Sequence, residues 1–208
     1  MKKKHIYIVR HGETDQNRLG IVQGRGIDSH LNETGLWQAK AFFHHYNSID
    51  FERIYCSSQL RSYQTIQNFV NDTRILHKDE RIDEINWGEH EGKAGDEELM
   101  LKYDRIIQSW SNGNYHDRAD GGESALDLFI RLQGFFIDLH EAEFNTALIC
   151  THGRTLRVLI CLIKELPLSF MEQIKHQNTG LYQAIYHQGS WDVVLENDCS
   201  HLIQNHVF

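Results

Sequence analysis

Two short apolar runs of the sequence end in the same dipeptide, His-Gly. The first run is HIYIV at 5–9, which Arg10 and then His11 follow, and the second is TALIC at 146–150, which leads to His152. Apolar runs of about four to eight residues are typical of strands that are buried inside a sheet. The sequence therefore predicts two buried strands that each deliver a histidine at the carboxyl end.

Strand-like and helix-like apolar patterns alternate along the rest of the chain. Short apolar runs indicate further strands over 51–57 and within 73–82, and two alternating runs around Gly189 indicate a hairpin over 182–196. Apolar residues at helical spacing predict helices over 31–46, 58–72, 96–111, 121–144 and 154–166. Because strands that alternate with helices indicate βαβ units, the sequence predicts an α/β fold around a mostly parallel sheet.

The predicted helix over 121–144 is the longest, and its pattern indicates which face should be buried. Its apolar residues recur every three or four positions, which is typical of a helix with one face against a core. We expect the buried stripe to consist of Leu126, Phe129, Ile130, Gln133, Phe136, Ile137 and His140.

The composition limits the class of protein. With 208 residues, of which 40% are hydrophobic, the chain can bury one sizeable core, so we expect a single domain over 1–208. A net charge of −8 argues against a nucleic-acid partner, because clustered Lys and Arg bind such partners. No apolar run approaches the ~20 residues of a membrane span, and the run in MKKKHIYIV is too short for a signal peptide. Four cysteines without a C-x-x-C pair are typical of a reducing compartment, so a cytoplasmic location is expected.

Both His-Gly sites are expected at one edge of the sheet. Ligands of parallel sheets bind beyond the carboxyl ends of the strands, where His11 and His152 would emerge. Arg61 stands in the first turn of the helix after CSS at 56–58, the end of another strand. Together with Arg10, these residues bring two guanidinium forks beside two imidazoles, which favours binding of a dianion such as a phosphate group.

Phosphoryl transfer would explain why a histidine stands in a cationic pocket. A neutral imidazole can attack phosphorus and form a covalent phosphohistidine, and the leaving alkoxide then needs a proton. From the residues alone, the candidate proton donors are the carboxyl groups of Asp83 and Glu84. No Cys/His spacing of the zinc type is present, so no metal site is expected.

Several motifs along the chain resemble those of one known family. In chain order they are RHGET at 10–14, Asn17, QG at 23–24, SSQLR at 57–61, Glu84 followed by Gly88 and Gly92, GGES at 121–124 and THG at 151–153. As an ordered set they resemble the histidine phosphatase superfamily, which includes the cofactor-dependent phosphoglycerate mutases. The set covers nearly the whole chain and is far more specific than RHGE alone.

The resemblance implies a fold, a chemistry and a role for each motif. It implies a three-layer α/β/α domain with a six-stranded, mostly parallel sheet, which needs no metal or cofactor. His11 would accept the phosphoryl group, and Glu84 would donate the proton to the leaving group. The phosphate would be bound by Arg10, Asn17, Gln23, Gly24, Arg61 and His152.

Two departures from the family pattern bear on the substrate. The loop after Gly24 reads DSHL where the family commonly has D-x-P-L, and it is one residue longer. Phosphoglycerate mutases carry a long insertion with paired arginines between the acid and the GES motif, whereas Glu84 and Glu123 lie 39 positions apart here with no Arg-Arg pair between them. The short cap insertion, at about 89–120, resembles the phosphatase branch, which includes broad-specificity phosphomonoesterases, α-ribazole phosphatases and phosphoserine phosphatases.

The sequence therefore predicts a phosphomonoester hydrolase that forms a phosphohistidine and acts on a small phosphorylated metabolite. Two alternatives stay open: a cofactor-dependent phosphoglycerate mutase, and a module that binds phosphorylated ligands without turnover. Arg25 and Lys93 are candidates for binding a second acidic group of the substrate. A homodimer is a further hypothesis, because dimers are common in the family.

Overall fold

The chain forms a six-stranded sheet in the computed structural model, which describes residues 3–93 and 96–203. The strands are β1 (Lys4–Arg10), β2 (Arg53–Cys56), β3 (Leu76–Lys78), β4 (Thr146–Thr151), β5 (Leu181–His187) and β6 (Ser190–Asp198). Their order across the sheet is β3-β2-β4-β1-β5-β6. The strands β3, β2, β4 and β1 run parallel to one another, β5 runs antiparallel to β1, and β6 runs antiparallel to β5. The predicted six-stranded, mostly parallel α/β fold is confirmed.

Helices follow the strands as the apolar spacing predicts. The α-helices are α1 (Asp15–Arg18), α2 (Glu33–Tyr46), α3 (Leu60–Ile66), α4 (Glu97–Ser111), α5 (Ala125–Glu141), α6 (Gly153–Ile163) and α7 (Ser200–Ile203). Single 3-10 turns lie at Gln67–Phe69, Glu80–Ile82 and Gly88–His90, and a longer 3-10 segment spans Leu168–Gln173. None of the helices in the described part of the chain is both long and apolar enough to cross a membrane.

The helices cover both faces of the sheet, because alternate residues of a strand point to opposite sides. In β1, Ile6 and Ile8 belong to an apolar cluster with residues of α5 and α6. Val9 belongs to a second cluster, on the opposite face, with residues of α2 and α3. The result is the predicted three-layer arrangement, with an apolar cluster on each face of the sheet.

Helix α5 buries a different face from the one that its spacing suggests. Ile130 and Ile137 of the expected stripe are 58% and 50% exposed. The buried residues of this helix are Ala125, Leu128, Leu132, Phe135 and Leu139. The expected stripe was wrong because apolar side chains occur around most of this helix, so spacing alone leaves its orientation open. Packing against α6 selects the face that is buried.

The register of the sheet places the predicted site. β1 and β4 are adjacent and parallel, and Arg10 of β1 pairs with Thr151 of β4. His11 and His152 therefore leave the same edge of the sheet, side by side. β2 runs parallel to β4 and ends at this edge, where α3 begins and carries Arg61 in its first turn.

The predicted hairpin consists of β5 and β6, which are joined by Gln188 and Gly189. Both turn residues have positive φ, 56° and 95° respectively. Positive φ at both central positions is the conformation of the type I′ turn, whose twist matches that of two antiparallel strands. Glycine at the second position adopts this conformation without steric strain.

Candidate active site

A cavity of about 390 Å³ opens at the carboxyl edge of the sheet, next to helix α4. Five residues that the sequence singles out line this cavity: Arg10, His11, Asn17, Gln23 and Glu84. Three others lie outside its lining and are buried: Gly24, Arg61 and His152. The predicted residues thus divide into a set that faces the cavity and a set that is packed around it.

His11 is 3% exposed, and its Nδ1 lies 2.7 Å from the carbonyl oxygen of Gly12. A carbonyl oxygen only accepts hydrogen bonds, so Nδ1 carries the proton and Nε2 of the neutral ring has a free lone pair. Burial, with the positive charges of Arg61 and Arg10, holds the pKa of His11 well below its ordinary value of 6.5. The ring is therefore neutral near pH 7, which is the form that a nucleophilic imidazole requires.

The ring of His152 stands beside that of His11, with ring centroids 5.1 Å apart. Its Nε2 lies 2.7 Å from the hydroxyl oxygen of Ser57, which accepts the N–H of Gln59 at 3.3 Å. The Ser57 hydroxyl proton is then available for Nε2, which assigns the ring proton of His152 to Nδ1. Burial and the charge of Arg61 hold the pKa of His152 well below 6.5, so this ring is neutral as well.

Three buried nitrogen atoms of the site have no hydrogen-bond partner among the described residues: Nε of Arg10, Nε of Arg61 and Nδ1 of His152. Buried N–H groups without an acceptor are rare in proteins, so three in one place call for a ligand that supplies acceptors. Burial lowers the pKa of Arg10 to about 10, so this guanidinium is still charged at neutral pH. A phosphoryl group has the charge and the oxygen atoms that this arrangement lacks.

Arg61 is held rigidly, although it does not line the cavity. Its Nη1 donates to the carbonyl oxygen of Ile27 at 2.6 Å, and its Nη2 lies 3.4 Å from that of Gly24. The side chain is 0% exposed, so no water competes for the guanidinium. This anchoring leaves Nε as the unmatched donor.

Glu84 docks its carboxylate on the N-terminus of helix α6. Oε2 accepts the N–H of Arg154 at 3.1 Å. Oε1 accepts the N–H of Ile85 at 3.0 Å and the N–H of Thr155 at 3.1 Å, whereas the Thr155 hydroxyl donates its proton to the carbonyl oxygen of Asp83 at 2.7 Å. Oε2 therefore keeps more free acceptor capacity than Oε1, and it is the oxygen suited to carry a proton toward the cavity.

Asp83, the alternative proton donor, is directed elsewhere. Its two carboxylate oxygens accept the N–H and the hydroxyl of Ser58, at 2.7 and 2.8 Å, and it pairs with Nε of Arg25 at 3.2 Å. The residue is 1% exposed and does not line the cavity. Of the two neighbouring carboxyl groups, only that of Glu84 lines the cavity beside His11.

The loop that carries Glu84 is fixed by Arg131 of helix α5. Its guanidinium donates to the carbonyl oxygens of Arg81, Asp83 and Glu84, at 2.7, 2.9 and 3.1 Å. The same guanidinium pairs with both oxygens of Glu123, at 2.9 and 3.1 Å. Glu123 of the GGES segment therefore has a structural role, because its carboxylate orients Arg131, which holds the loop.

Asn17 and Gln23 line the cavity but are also bound to its framework. The side-chain oxygen of Asn17 accepts the N–H of Thr14 at 3.3 Å, which completes a capping box at α1. Gln23 donates to the Thr14 hydroxyl at 2.7 Å and accepts from Ser29 at 2.5 Å. Among the described residues, the Nδ2 group of Asn17 donates no hydrogen bond, so it is available to a ligand.

Gly24 is required for close packing beneath the cavity. A Cβ at this position would lie 1.8 Å from Oε1 of Glu91 and 2.8 Å from the carbonyl oxygen of Ile85. The carbonyl oxygen of Gly24 faces Gln59, whose amide donates to it at 3.0 Å. Gly24 therefore allows the loop to pack closely, and its carbonyl group does not point at the cavity.

Two residues for which the sequence held no signal complete the rim of the site. His176 lies against Arg10, with its Nδ1 3.1 Å from Nη1, which also donates to the His176 carbonyl oxygen at 3.2 Å. Asn178 donates to the carbonyl oxygen of His11 at 3.0 Å and to the side-chain oxygen of Asn17 at 3.2 Å. Both stand in the loop before β5, and only the pairing of β5 with β1 brings them here.

The candidates for a second acidic group of the substrate are absent from the cavity lining. Arg25 pairs with Glu80 and Asp83, and Lys93 lies outside the lining as well. The arginines that do line the cavity are Arg154 and Arg157 of α6. The sequence carried a signal for them, since RTLR after THG places two arginines one helical turn apart.

Residues 6–199 match the model of the histidine phosphatase superfamily, branch 1. The chain belongs to this superfamily. Phosphoserine phosphatase 1 of Hydrogenobacter thermophilus is 28% identical to it over 193 residues, which cover 92% of this chain and 90% of the relative. These matches span both His-Gly strands, all the motifs and the cap segment, so the predicted family is confirmed.

Solved structures of superfamily members share the fold of this one. A phosphoserine phosphatase variant from Entamoeba histolytica, in complex with phosphoserine, is 25% identical with a TM-score of 0.83, and the match covers 97% of this chain and 100% of that one. The α-ribazole phosphatase of Shigella flexneri is 22% identical with a TM-score of 0.82, over 93% of this chain and 96% of that one, which shows likeness of fold.

The superfamily site of this chain draws its positive charge from arginine side chains. Within residues 3–93 and 96–203, no group of three or more His, Cys, Asp or Glu side chains is arranged to hold a metal ion. The positive charges of Arg61 and Arg10 both lower the pKa of His11. Guanidinium groups match the geometry of phosphate oxygens, so the site can bind a phosphoryl group through them.

Proposed function

We propose that the protein hydrolyses phosphomonoesters of small metabolites through a phosphohistidine at His11. The observation that carries this proposal is the set of buried, unmatched nitrogen atoms of Arg10, Arg61 and His152 beside the neutral ring of His11. They supply donors for the oxygens of a phosphoryl group, and the ring supplies a lone pair for its phosphorus. Membership of the superfamily, and relatives that are named as phosphatases, support the same reaction.

In the first step, Nε2 of His11 attacks phosphorus in line with the leaving oxygen. The N–P bond forms as the P–O bond to the substrate breaks, and the bonding electrons leave with the oxygen. Oε2 of Glu84 gives its proton to that oxygen, so that an alcohol departs rather than an alkoxide. Arg10, Arg61 and His152 stabilise the charge on the phosphoryl oxygens, and the amide of Asn17 contributes one more donor.

In the second step, a water molecule attacks the phosphohistidine. Glu84, now ionised, removes a proton from the water as the O–P bond forms, and the P–N bond breaks. Inorganic phosphate leaves, and both His11 and Glu84 return to their starting protonation states. The Gly12 carbonyl holds the Nδ1 proton throughout, so the ring keeps one orientation over the two steps.

Hydrolysis is favoured over the two alternatives for separate reasons. A mutase must bind a bisphosphate and exclude water, and the cap here lacks the paired arginines that the mutases carry between the acid and the GES motif. A module without turnover would not need a histidine held as a neutral nucleophile with a carboxyl group across the cavity. His11 and Glu84 both line the cavity.

Trapping of the intermediate tests the proposal. After a brief reaction with a ³²P-labelled phosphomonoester and a quench in base, we expect acid-labile, base-stable label on His11. His11→Asn should abolish both label and phosphate release, whereas His30→Gln, which removes an exposed histidine of a nearby loop, should retain both. Reversible binding without label would favour the binding module, and label that moves between positions of phosphoglycerate without phosphate release would favour the mutase.

We also propose the domain boundaries, the cellular location and the oligomeric state of the protein. We infer one domain over 1–208 with a cap at about 89–120, of which Ala94 and Gly95, like residues 1–2 and 204–208, lie outside the described part of the chain. A cytoplasmic location is supported by the free cysteines, three of which are buried. The absence of a nucleic-acid partner follows from the net charge of −8, and the homodimer stays a prediction from the family resemblance.

A further inference from the structure

The cavity beside His11 continues along helix α6 to a second cationic centre. Arg154 and Arg157 lie one helical turn apart and both line the cavity. Each pairs through Nη1 with one oxygen of Glu172. At this end of the cavity two guanidinium groups share the single carboxylate of Glu172, and the carboxylate of Asp104 also lines the wall.

Arg154 and Arg157 differ in their exposure and in whether a donor atom is left without a partner. Arg154 lies over the rings of Trp87 and Trp110, 5.5 and 5.4 Å from their centroids, and its side chain is 6% exposed. The side chain of Arg157 is 17% exposed, and its Nε is buried without a partner among the described residues. Arg157 is therefore the arginine with a donor left for a ligand.

His176 lines the same cavity and lies close to the arginines of both centres. It contacts Arg10 on one side, and burial, with the charges of Arg10, Arg157 and Arg154, lowers the pKa of His176 to about 3. The ring is then neutral at pH 7 and adds no charge between the two cationic centres. A volume of about 390 Å³ holds one small molecule, so both ends act on a single ligand.

On the basis of the function proposed above, we propose that Arg157, supported by Arg154 and Glu172, binds a second anionic group of the substrate, and that this group is a carboxylate. The substrate class is then a phosphomonoester of a small hydroxy acid. The donor left for this group is the buried Nε of Arg157, and one carboxylate oxygen can accept a hydrogen bond from it. A second phosphate would bring about two negative charges at neutral pH, close to the carboxylates of Glu172 and of Asp104 at the cavity wall.

Charge balance also explains why the centre includes an acid. Burial and the neighbouring charge of Arg154 lower the pKa of Arg157, which shows that the two guanidinium groups repel each other. Glu172 reduces that repulsion in the free protein, and a bound carboxylate would reduce it further. Guanidinium groups bind carboxylates in a planar fork geometry, so this site would orient the substrate as well as attract it.

Pairs of substrates that differ only in the carboxylate test the proposal on the unaltered protein. Phosphate release should give a kcat/KM at least about tenfold higher for 3-phosphoglycerate than for glycerol 3-phosphate, and for phosphoserine than for phosphoethanolamine, because a hydrogen bond to a charged group is worth at least a factor of about ten. A bisphosphate of the same length should be no better than glycerol 3-phosphate. Equal values within each pair would overturn the carboxylate site.

A variant assigns the preference to Arg157. In Arg157→Gln the ratio of kcat/KM within each pair should fall by about tenfold, mainly through a higher KM for the carboxylated substrate. Lys164→Gln removes one positive charge just after the same helix, where Lys164 pairs with Glu196 away from the cavity, and it should keep the wild-type ratio. A wild-type ratio in Arg157→Gln would overturn the assignment.

Failure of this inference can be distinguished from failure of the proposed function. A protein that releases phosphate from p-nitrophenyl phosphate and labels His11, yet shows no preference within the pairs, retains the proposed function and loses the carboxylate site. A protein that releases phosphate from none of these esters and takes no label loses both.

Discussion

The side chain of His11 donates its Nδ1 proton to the carbonyl oxygen of the next residue, Gly12, at 2.7 Å. This single contact orients the ring and selects the tautomer with a free Nε2. The backbone carbonyl of His11 accepts in turn from Asn178 at 3.0 Å, so both the ring and its main chain are fixed. In the proposed reaction, a ring held in this way would need no reorientation before it attacks phosphorus.

The titration of His11 and His152 follows from their burial. Burial and nearby arginines hold both pKa values well below 6.5, so neither ring should gain a proton as the pH falls from 8 to 6.5. Histidine carbon and proton chemical shifts, recorded by NMR across this range, should show no inflection for these two residues. An inflection of His11 near pH 6.5 would contradict the assigned environment.

Stability should decrease as the pH falls below 6.5. The pKa values of His176 and His201 are lowered to about 3 and about 4, chiefly by burial, so below 6.5 the unfolded chain binds protons that the folded chain does not. Their stabilising effect is fully present above pH 6.5 and is lost toward the folded pKa, at up to about 1.4 kcal/mol per pH unit for a fully buried group.

Urea unfolding at pH 7.5, 6.0 and 5.0 measures this effect. We expect the midpoint to fall at each step. His201→Gln should show a shallower fall between pH 6.0 and 5.0 than the unaltered protein, because one buried histidine no longer takes part. Equal midpoints at pH 7.5 and 5.0 would count against neutral buried histidines.

Replacement of Glu84 should affect substrates according to their leaving groups. Glu84→Gln removes the proposed proton donor, so kcat for an alkyl phosphate should fall by roughly 10²–10⁴-fold, whereas that for p-nitrophenyl phosphate, whose leaving group needs little protonation, should fall much less. Steady-state phosphate release measures both. Asp83→Asn, which alters the neighbouring carboxyl group outside the cavity, should change the two rates by similar factors. Equal losses in Glu84→Gln would contradict its role as the acid.

Arg131 should contribute more to stability than another arginine of the same region. Arg131→Gln removes the guanidinium that pairs with both oxygens of Glu123 and donates to three carbonyl oxygens, and the side chains of Arg131 and Glu123 are largely buried, at 14% and 20% exposed. The free energy of unfolding should fall by about 3 kcal/mol. Arg118→Gln breaks a more exposed pair with Asp127, and its effect should stay below about 1 kcal/mol. Comparable urea midpoints for the two variants would disagree with this structure.

Two glycine-to-alanine substitutions should change stability in opposite directions. In Gly24→Ala the new Cβ would lie 1.8 Å from the Glu91 carboxylate and 2.8 Å from the Ile85 carbonyl oxygen, so the loop must shift and about 1–3 kcal/mol should be lost. Gly134 lies inside α5, where the nearest atom, Nη1 of Arg81, is 3.8 Å from a new Cβ. Gly134→Ala should therefore stabilise the protein by about 0.5–1 kcal/mol, through helix propensity. Thermal unfolding of both variants measures the difference.

The orientation of α5 illustrates a limit of apolar periodicity. Its spacing predicted a helix in the right place, yet Ile130 and Ile137 point to solvent while Leu128 and Leu132 are buried. Periodicity assigns a face only where one side of a helix is polar. Where apolar residues surround the helix, contacts with distant elements decide, and α6 supplies them here.

The sequence by itself determined the elements and the edge at which the predicted site residues meet. Apolar runs and helical spacing are local properties, and the carboxyl ends of parallel strands share one edge of a sheet, so His11 and His152 were expected together before any coordinates. Only the tertiary structure decided which carboxyl group faces the cavity. Asp83 and Glu84 are neighbours in the chain, but the N-terminus of α6, 70 positions away, holds Glu84 at the cavity, and Ser58 holds Asp83 away from it. Hydrogen bonds between residues so far apart leave no pattern in a single sequence. For the same reason, the pairing of Arg154 and Arg157 with Glu172 can be seen only in the tertiary structure.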